Sequence, residues 1–255
     1  LLISPEEWQT LSAAVAQRAR VLNLLLADIY GPGKLLRTGD LPPEIVFANP
    51  AFTRAAHELR PADGIFLHHY AIDVARSPDG RWWVVGDSTD APSGAGYALE
   101  NRIVISRVYP ELIRSCRVQR LASFFQQVRD GLLARANVQG REPRVVIYTP
   151  GPYNSTYFEQ AYLARYLGFN LVEGRDLTVR DERVYLKTLS GLLPVDVIMR
   201  RVDSDFCDPL ELRTDSLLGV PGLLQAVRAG HVVVANSIGA GVTETPALLP
   251  FMANL

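Results

Sequence analysis

The chain has 255 residues, 26 of them Lys or Arg and 27 Asp or Glu, for a formal net charge of −1. That length carries one large domain or two smaller ones, and the charge balance offers no electrostatic case for nucleic acid or an anionic membrane as partner. No apolar run reaches the roughly 18 to 20 residues that span a bilayer. Cys116 and Cys207 lie far apart in sequence and match no disulfide framework or metal spacing, which reads as two free thiols in a cytoplasmic setting.

The opening residues, LLISPEEWQT, have no basic region ahead of the apolar ones and so no secretory pattern. Ser4-Pro5-Glu6-Glu7 carries the marks of a helix start, with a capping residue, a Pro in the first turn and early carboxylates. Trp8, Leu11, Val15, Ala19, Leu22 and Leu26 then recur at helical spacing until Tyr30-Gly31-Pro32-Gly33 stops the run. Phe52 to Leu59 reads as a short helix. From Ile65 the period changes to that of strands. IFLHHYAIDVARS and RWWVVGD are β-rich runs separated by Pro78-Asp79-Gly80, a tight-turn triplet. Helices are predicted over 97–108 and 118–136.

After GREP (140–143) the pattern becomes βαβ-like. RVVIYTP is a predicted strand. Thr156 and Glu159 have the spacing of a capping box opening a helix that ends at Leu167-Gly168. Strands follow at NLVEG, RVYLKT and VDVIMRR, then a helix near 220–229 and the strand HVVVANS. The alternation predicts an α/β fold with a mainly parallel sheet covered on both faces. A boundary falls near 138–143. The chain does not start with Met and stops within the helix-like ALLPFMANL, so it reads as a piece of a longer protein.

The hairpin carries the first candidate site. A three-residue loop pairs Ser77 with Arg81, which places Asp73 opposite Val85 and Asp87 diagonal to Asp73 on the same face. Two such carboxylates on apolar strands need a counter-charge. Either a hard ion such as Mg²⁺ supplies it, or Arg76 or Arg102 does, or the two acids lie exposed at the sheet edge. The following loop, APSGAGY, is the second candidate. Ser93, Gly94 and Gly96 expose backbone N–H groups able to cradle a phosphate or carboxylate, or they form a plain helix start. Glu100, Asn101 and Arg102 lie one to two turns into that helix.

Further candidates follow predicted strands. Arg200, Arg201 and Asp203 project at a strand's C-terminal end, the edge where open α/β sheets bind ligands. Arginine pairs there suit carboxylate or phosphate, and pairing of Arg201 with Asp203 or Asp205 is the structural alternative. Asn236 to Gly241 is a weak phosphate-loop pattern with Glu244 where a third Gly would stand. His68 and His69 are adjacent on a strand and so point to opposite faces. Pro92-Ser93-Gly94 is not the nucleophile turn of a hydrolase. Lysine is rare, with only Lys34 and Lys187.

GDSTDAPSGAGYALENR, with HHYAIDVARSPDGRWWVV before it and DFCDPLELRTDSLLGVPGLLQAVRAGHVVVANSIGAGVTE later, resembles the circularly permuted ATP-grasp proteins of type 2. The likeness extends over the whole chain, including QRARVLNLLLADIYGPGKLL. More distantly, the acidic hairpin is similar to the metal-binding strands of glutathionylspermidine synthetase. The resemblance implies an ATP-dependent carboxylate–amine ligase acting on small-molecule or peptide substrates through an acyl phosphate. Mg²⁺ would be held by Asp73 and Asp87, and ATP would be met by Ser93, Gly94, Gly96, Asn101 and Asn236. Arg102 and Arg200 would be catalytic. Thr89 stands where an amide ligand would follow the second acid, and Ser88 where relatives often have Asn. Residues 1–140 would be the helical and hairpin part of the permuted core, and 141–255 the Rossmann-like domain that precedes an ATP-grasp core, with the basic phosphate clamp beyond Leu255. The alternative is a binding module that keeps the fold without nucleotide chemistry.

Overall fold

The computed structural model describes residues 3–57, 59–61 and 64–253. Helix α1 (Pro5–Ile29) starts as its sequence predicts: Ser4 accepts the N–H of Glu7, with Pro in the first turn. The short helices α2 (Lys34–Thr38) and α3 (Pro43–Phe47) follow, and residues 54–56 form one 3-10 turn. Leu25, Leu26 and Ile29 of α1 pack with Phe66, Ala240, Val242 and Leu248, which joins the start of the chain to its end.

Strands β1 (Ala71–Arg76) and β2 (Trp82–Ser88) form the expected antiparallel hairpin, with Ser77 N–H donating to Arg81 O. The register does not run straight. Val74 faces Val84, but Asp73 faces Gly86, so Val85 is an extra residue on β2, a β-bulge. Three helices come next, α4 (Ala95–Val108), α5 (Pro110–Ser115) and α6 (Ala122–Leu133).

The predicted parallel sheet forms from β3 (Val145–Tyr148), β4 (Asn170–Val172), β8 (Val197–Arg200) and β9 (Val233–Ala235), in the order β4-β3-β8-β9. Every residue of β3 and β8 is buried, as expected for strands covered on both faces. Alternate residues serve different cores. Val145, Ile147, Val197 and Met199 pack with Leu99 of α4, Phe125 and Leu132 of α6, and Leu163 and Leu167 of α7 (Tyr157–Leu167). Val146, Tyr148, Ile198 and Val234 pack with Leu223 and Leu224 of α8 (Leu223–Arg228).

One predicted strand leaves this sheet. RVYLKT becomes β6 (Arg183–Thr188), the centre of an antiparallel meander with β5 (Leu177–Arg180) and β7 (Gly191–Pro194). Asp181 and Glu182 both have positive φ, the conformation of a two-residue hairpin turn. A connection that short cannot make the crossover a parallel neighbour needs. The capping box at α7 is also absent: Thr156 makes no side-chain cap bond, and Glu159 is used elsewhere.

Candidate functional site

The C-terminal ends of β3, β8 and β9 form an edge onto which the chain after β2 is fastened. Asp90 is the main bolt. Its carboxylate accepts Arg200 Nη2 at 2.8 Å and Nη1 at 3.2 Å, Ser204 Oγ at 2.5 Å and Ser204 N–H at 3.2 Å. Arg200 also donates to Asp90 O, Val202 O and Asn236 O. Burial drives the Asp90 carboxyl upward, but the Arg200 charge and the bonds from Arg200 and Ser204 win, and its pKa lies below the ordinary range. Burial likewise opposes the Arg200 charge, and Asp90 more than restores it.

Thr89 is fully buried. Its N–H and that of Asp90 both donate to Glu244 Oε1, at 2.6 and 2.7 Å, and its hydroxyl donates to Ala240 O. Asn236 spends its whole amide in the same seam. Oδ1 accepts the N–H groups of His68 and His69, and Nδ2 donates to His69 O and Thr89 O.

The two hairpin carboxylates are not brought together. The bulge at Val85 sets Asp73 against Gly86 and Asp87 against Ile72, so the two acids point to opposite faces. Asp73 is exposed. Asp87 turns inward and accepts Arg18 Nε at 2.7 Å, Arg18 Nη2 at 2.6 Å and Tyr70 OH at 2.5 Å. The diagonal pair expected from an unbroken register is therefore corrected. Neither Arg76 nor Arg102 serves as the counter-charge of Asp87: Arg18 of α1 does, and Arg76 instead pairs with Glu7. Among the described residues no three His, Cys, Asp or Glu side chains cluster as a metal site. The donor set does not fit a shared Mg²⁺.

The glycine loop is filled by the protein itself. Glu159 is fully buried, and its Oε1 accepts the N–H groups of Gly94 at 2.7 Å and Gly96 at 3.0 Å. A Cβ at Gly96 would stand 2.6 Å from Glu159 Cγ, which explains the glycine. The anion that this nest receives is a carboxylate from α7. Ser93 and Asn101 are exposed beside it. Arg102 donates to Gln119 O, and Glu100 faces Tyr162.

Arg201 behaves unlike Arg200. It is 6% exposed and makes no ion pair with Asp203 or Asp205, and its Nε has no partner. Burial pulls its pKa down, opposed by the charge of Glu159. His69 lies within reach of that charge. Desolvation, followed by Arg201, lowers the His69 pKa to about 4. A narrow cleft here is lined by His68, His69, Pro92, Val128, Leu132 and Arg201, among others. A wider, mostly apolar cleft of about 350 Å³ opens beside β9, between Leu59, Ala134, Val227 and Ile238.

Arg18, Tyr70, Asp90 and Ser204 had no distinguishing signal in the sequence. Only Glu159 carried a motif, and that motif pointed to its own helix.

The profile of the family described as circularly permuted ATP-grasp type 2 matches residues 1–255. An uncharacterized protein of Mycobacterium tuberculosis is 44% identical over 255 residues, covering all of this chain and 29% of the relative. One from Synechocystis is 39% identical over 254 residues, covering 100% of this chain and 53% of the relative. One from Mycobacterium leprae is 42% identical over 243 residues, covering 95% of this chain and 43% of the relative. The chain thus spans between less than a third and about half of these relatives.

Proposed function

Because this chain belongs to the circularly permuted ATP-grasp type 2 family, we propose that it is part of an ATP-dependent carboxylate–amine ligase. In that reaction a small-molecule or peptide carboxylate takes the terminal phosphoryl group of ATP, ADP leaves, and an amine displaces phosphate from the acyl phosphate. Mg-ATP is bound by the complete protein, in the cytoplasm. Two free cysteines and the absence, among the described residues, of a helix able to cross a membrane are compatible with that setting.

The observation that carries the reading is the seam between the acidic hairpin and the sheet edge. Asp90, Arg200, Ser204, Asn236 and Glu244 lock the chain after β2 onto the C-terminal ends of β8 and β9. Open α/β sheets present ligands at that edge, and a rigid seam holds reacting groups in place. In this reading Arg200 and Asn236 are positioning residues, each fully occupied within the protein. No step is assigned to a Mg²⁺ on Asp73 and Asp87, because Asp87 is committed to Arg18 and Tyr70. Gly94 and Gly96 hold the loop to Glu159.

A second reading is favoured by those same occupied groups. A chain whose expected metal ligand is ion-paired and whose glycine nest is filled is also a sound binding module without catalysis. Hydroxylamine trapping separates the two. The full-length protein, given ATP, magnesium and a panel of carboxylates, should release ADP and form a hydroxamate with at least one acid. ATP binding without ADP or hydroxamate across the panel would leave the binding module as the function.

A further inference from the structure

We propose that Arg201, with the His69 ring beside it, forms an oxyanion-binding site in the cleft between α6 and the sheet edge, taking a carboxylate or phosphate group. The proposal needs no ATP turnover and stands or falls separately from the ligase reading.

The geometry begins with strand alternation. Val197 and Met199 face α6 and α7, and Arg201, next in that alternation, turns to the same side while Arg200 turns to Asp90. Its backbone still belongs to the sheet, since Arg201 N–H donates to Tyr148 O at 2.8 Å. Arg201 as a whole is therefore 6% exposed, and it lines the cleft together with Val128 and Leu132 of α6. A buried cation is stable only when paired or hydrogen-bonded. No hydrogen bond or ion pair of the Arg201 side chain exists within the described protein, and its Nε is an orphan.

The other polar groups around the cleft form no hydrogen bond or ion pair with the Arg201 side chain. Arg200 is committed to Asp90, Val202 and Asn236. The Asn236 amide is spent on the backbone of His68, His69 and Thr89. The carboxylate whose charge acts on Arg201 is Glu159, whose Oε1 accepts from Gly94 and Gly96 and whose buried Oε2, like Arg201 Nε, has no hydrogen-bond partner; the two side chains form no ion pair. Arg200 and Arg201 thus both line one cleft, Arg200 ion-paired with Asp90 and Arg201 with its fork unspent in hydrogen bonds. That fork matches the two oxygens of a carboxylate or of a phosphate. The interior of the cleft holds one water-sized group, so an oxyanion meets the Arg201 fork at the mouth, with its apolar remainder outside.

The test uses the full-length protein at constant ionic strength, titrated separately with sodium acetate and inorganic phosphate while the thermal midpoint is followed. Wild type should show a saturable rise with at least one anion, as ligand binding to the folded state requires. Acetate acting more strongly assigns a carboxylate site, and phosphate acting more strongly a phosphate site. Arg201→Lys should raise the apparent Kd at least about tenfold, because the ammonium lacks the fork, and Arg201→Met should remove the response. Should the Met variant not fold, the Lys variant and wild type decide. No saturable response in wild type, or an unchanged one in Arg201→Lys, overturns the proposal.

Discussion

Asp87→Asn is the substitution that most directly separates the two roles this side chain can have. As an ion-pair partner, Asp87 accepts three bonds of 2.5 to 2.7 Å from Arg18 and Tyr70, and the paired side chains are 16% and 6% exposed. The Arg18 pKa is raised, first by its hydrogen bonds to Asp87 and against the pull of burial. Exposed pairs contribute about 0.2–1 kcal/mol, whereas breaking a buried one costs about 3–5 kcal/mol. This pair lies near the buried limit, but Asn keeps one acceptor for Tyr70 or Arg18. The expected loss is therefore about 2–4 kcal/mol. Urea unfolding of the 255-residue chain at neutral pH measures it. Arg18→Met should cost a similar amount, and the double variant should show a coupling of at least about 1.5 kcal/mol. Magnesium should leave the wild-type midpoint unchanged against an ionic-strength control. A loss under about 0.5 kcal/mol with no coupling, or a midpoint raised by magnesium and not in Asp87→Asn, would show that Asp87 is free for a metal and refute the ion-pair account.

Asp90→Asn should cost about 3–5 kcal/mol by stranding the buried Arg200. Because the folded pKa of Asp90 is depressed, its contribution is present above the ordinary carboxylate range and lost as pH falls through the lower folded value. Acid unfolding of Asp90→Asn should accordingly be less steep below about pH 4 than that of wild type. His69 titrates in the other acidic window. Its folded pKa of about 4 lies below the ordinary 6.5, so neutral His69 contributes fully above pH 6.5 and the contribution is lost as pH falls toward 4. That loss is at most about 3 kcal/mol, and His69→Gln should flatten the stability profile across the window. Gly96→Ala should cost about 1–3 kcal/mol by overpacking against Glu159, read by the same urea titration. Trimming that contact with Glu159→Ala should make the added methyl nearly neutral in the double variant.

What the sequence determined was local or periodic. Ser4-Pro5-Glu6-Glu7 started α1, and Pro78-Asp79-Gly80 closed the hairpin on the Ser77–Arg81 pair. The full burial of β3 and β8 could be read from apolar runs bounded by turn residues, so the parallel sheet was legible too. The motif strings that resemble the ATP-grasp family were equally present in the bare chain. The site was not legible to the same depth, because it depends on contacts between residues distant in sequence. One extra residue, Val85, reversed the face of Asp73 relative to Asp87, and a bulge has no dependable signature in a run such as WWVVGD. Glu159 matched a capping box by spacing, yet it serves a loop 63 residues away, which no local pattern can reveal. Arg200 and Arg201 are neighbours of identical chemistry. Only the packing of one strand between two cores sent the first to Asp90 and left the second beside a cleft with no hydrogen bond from its side chain.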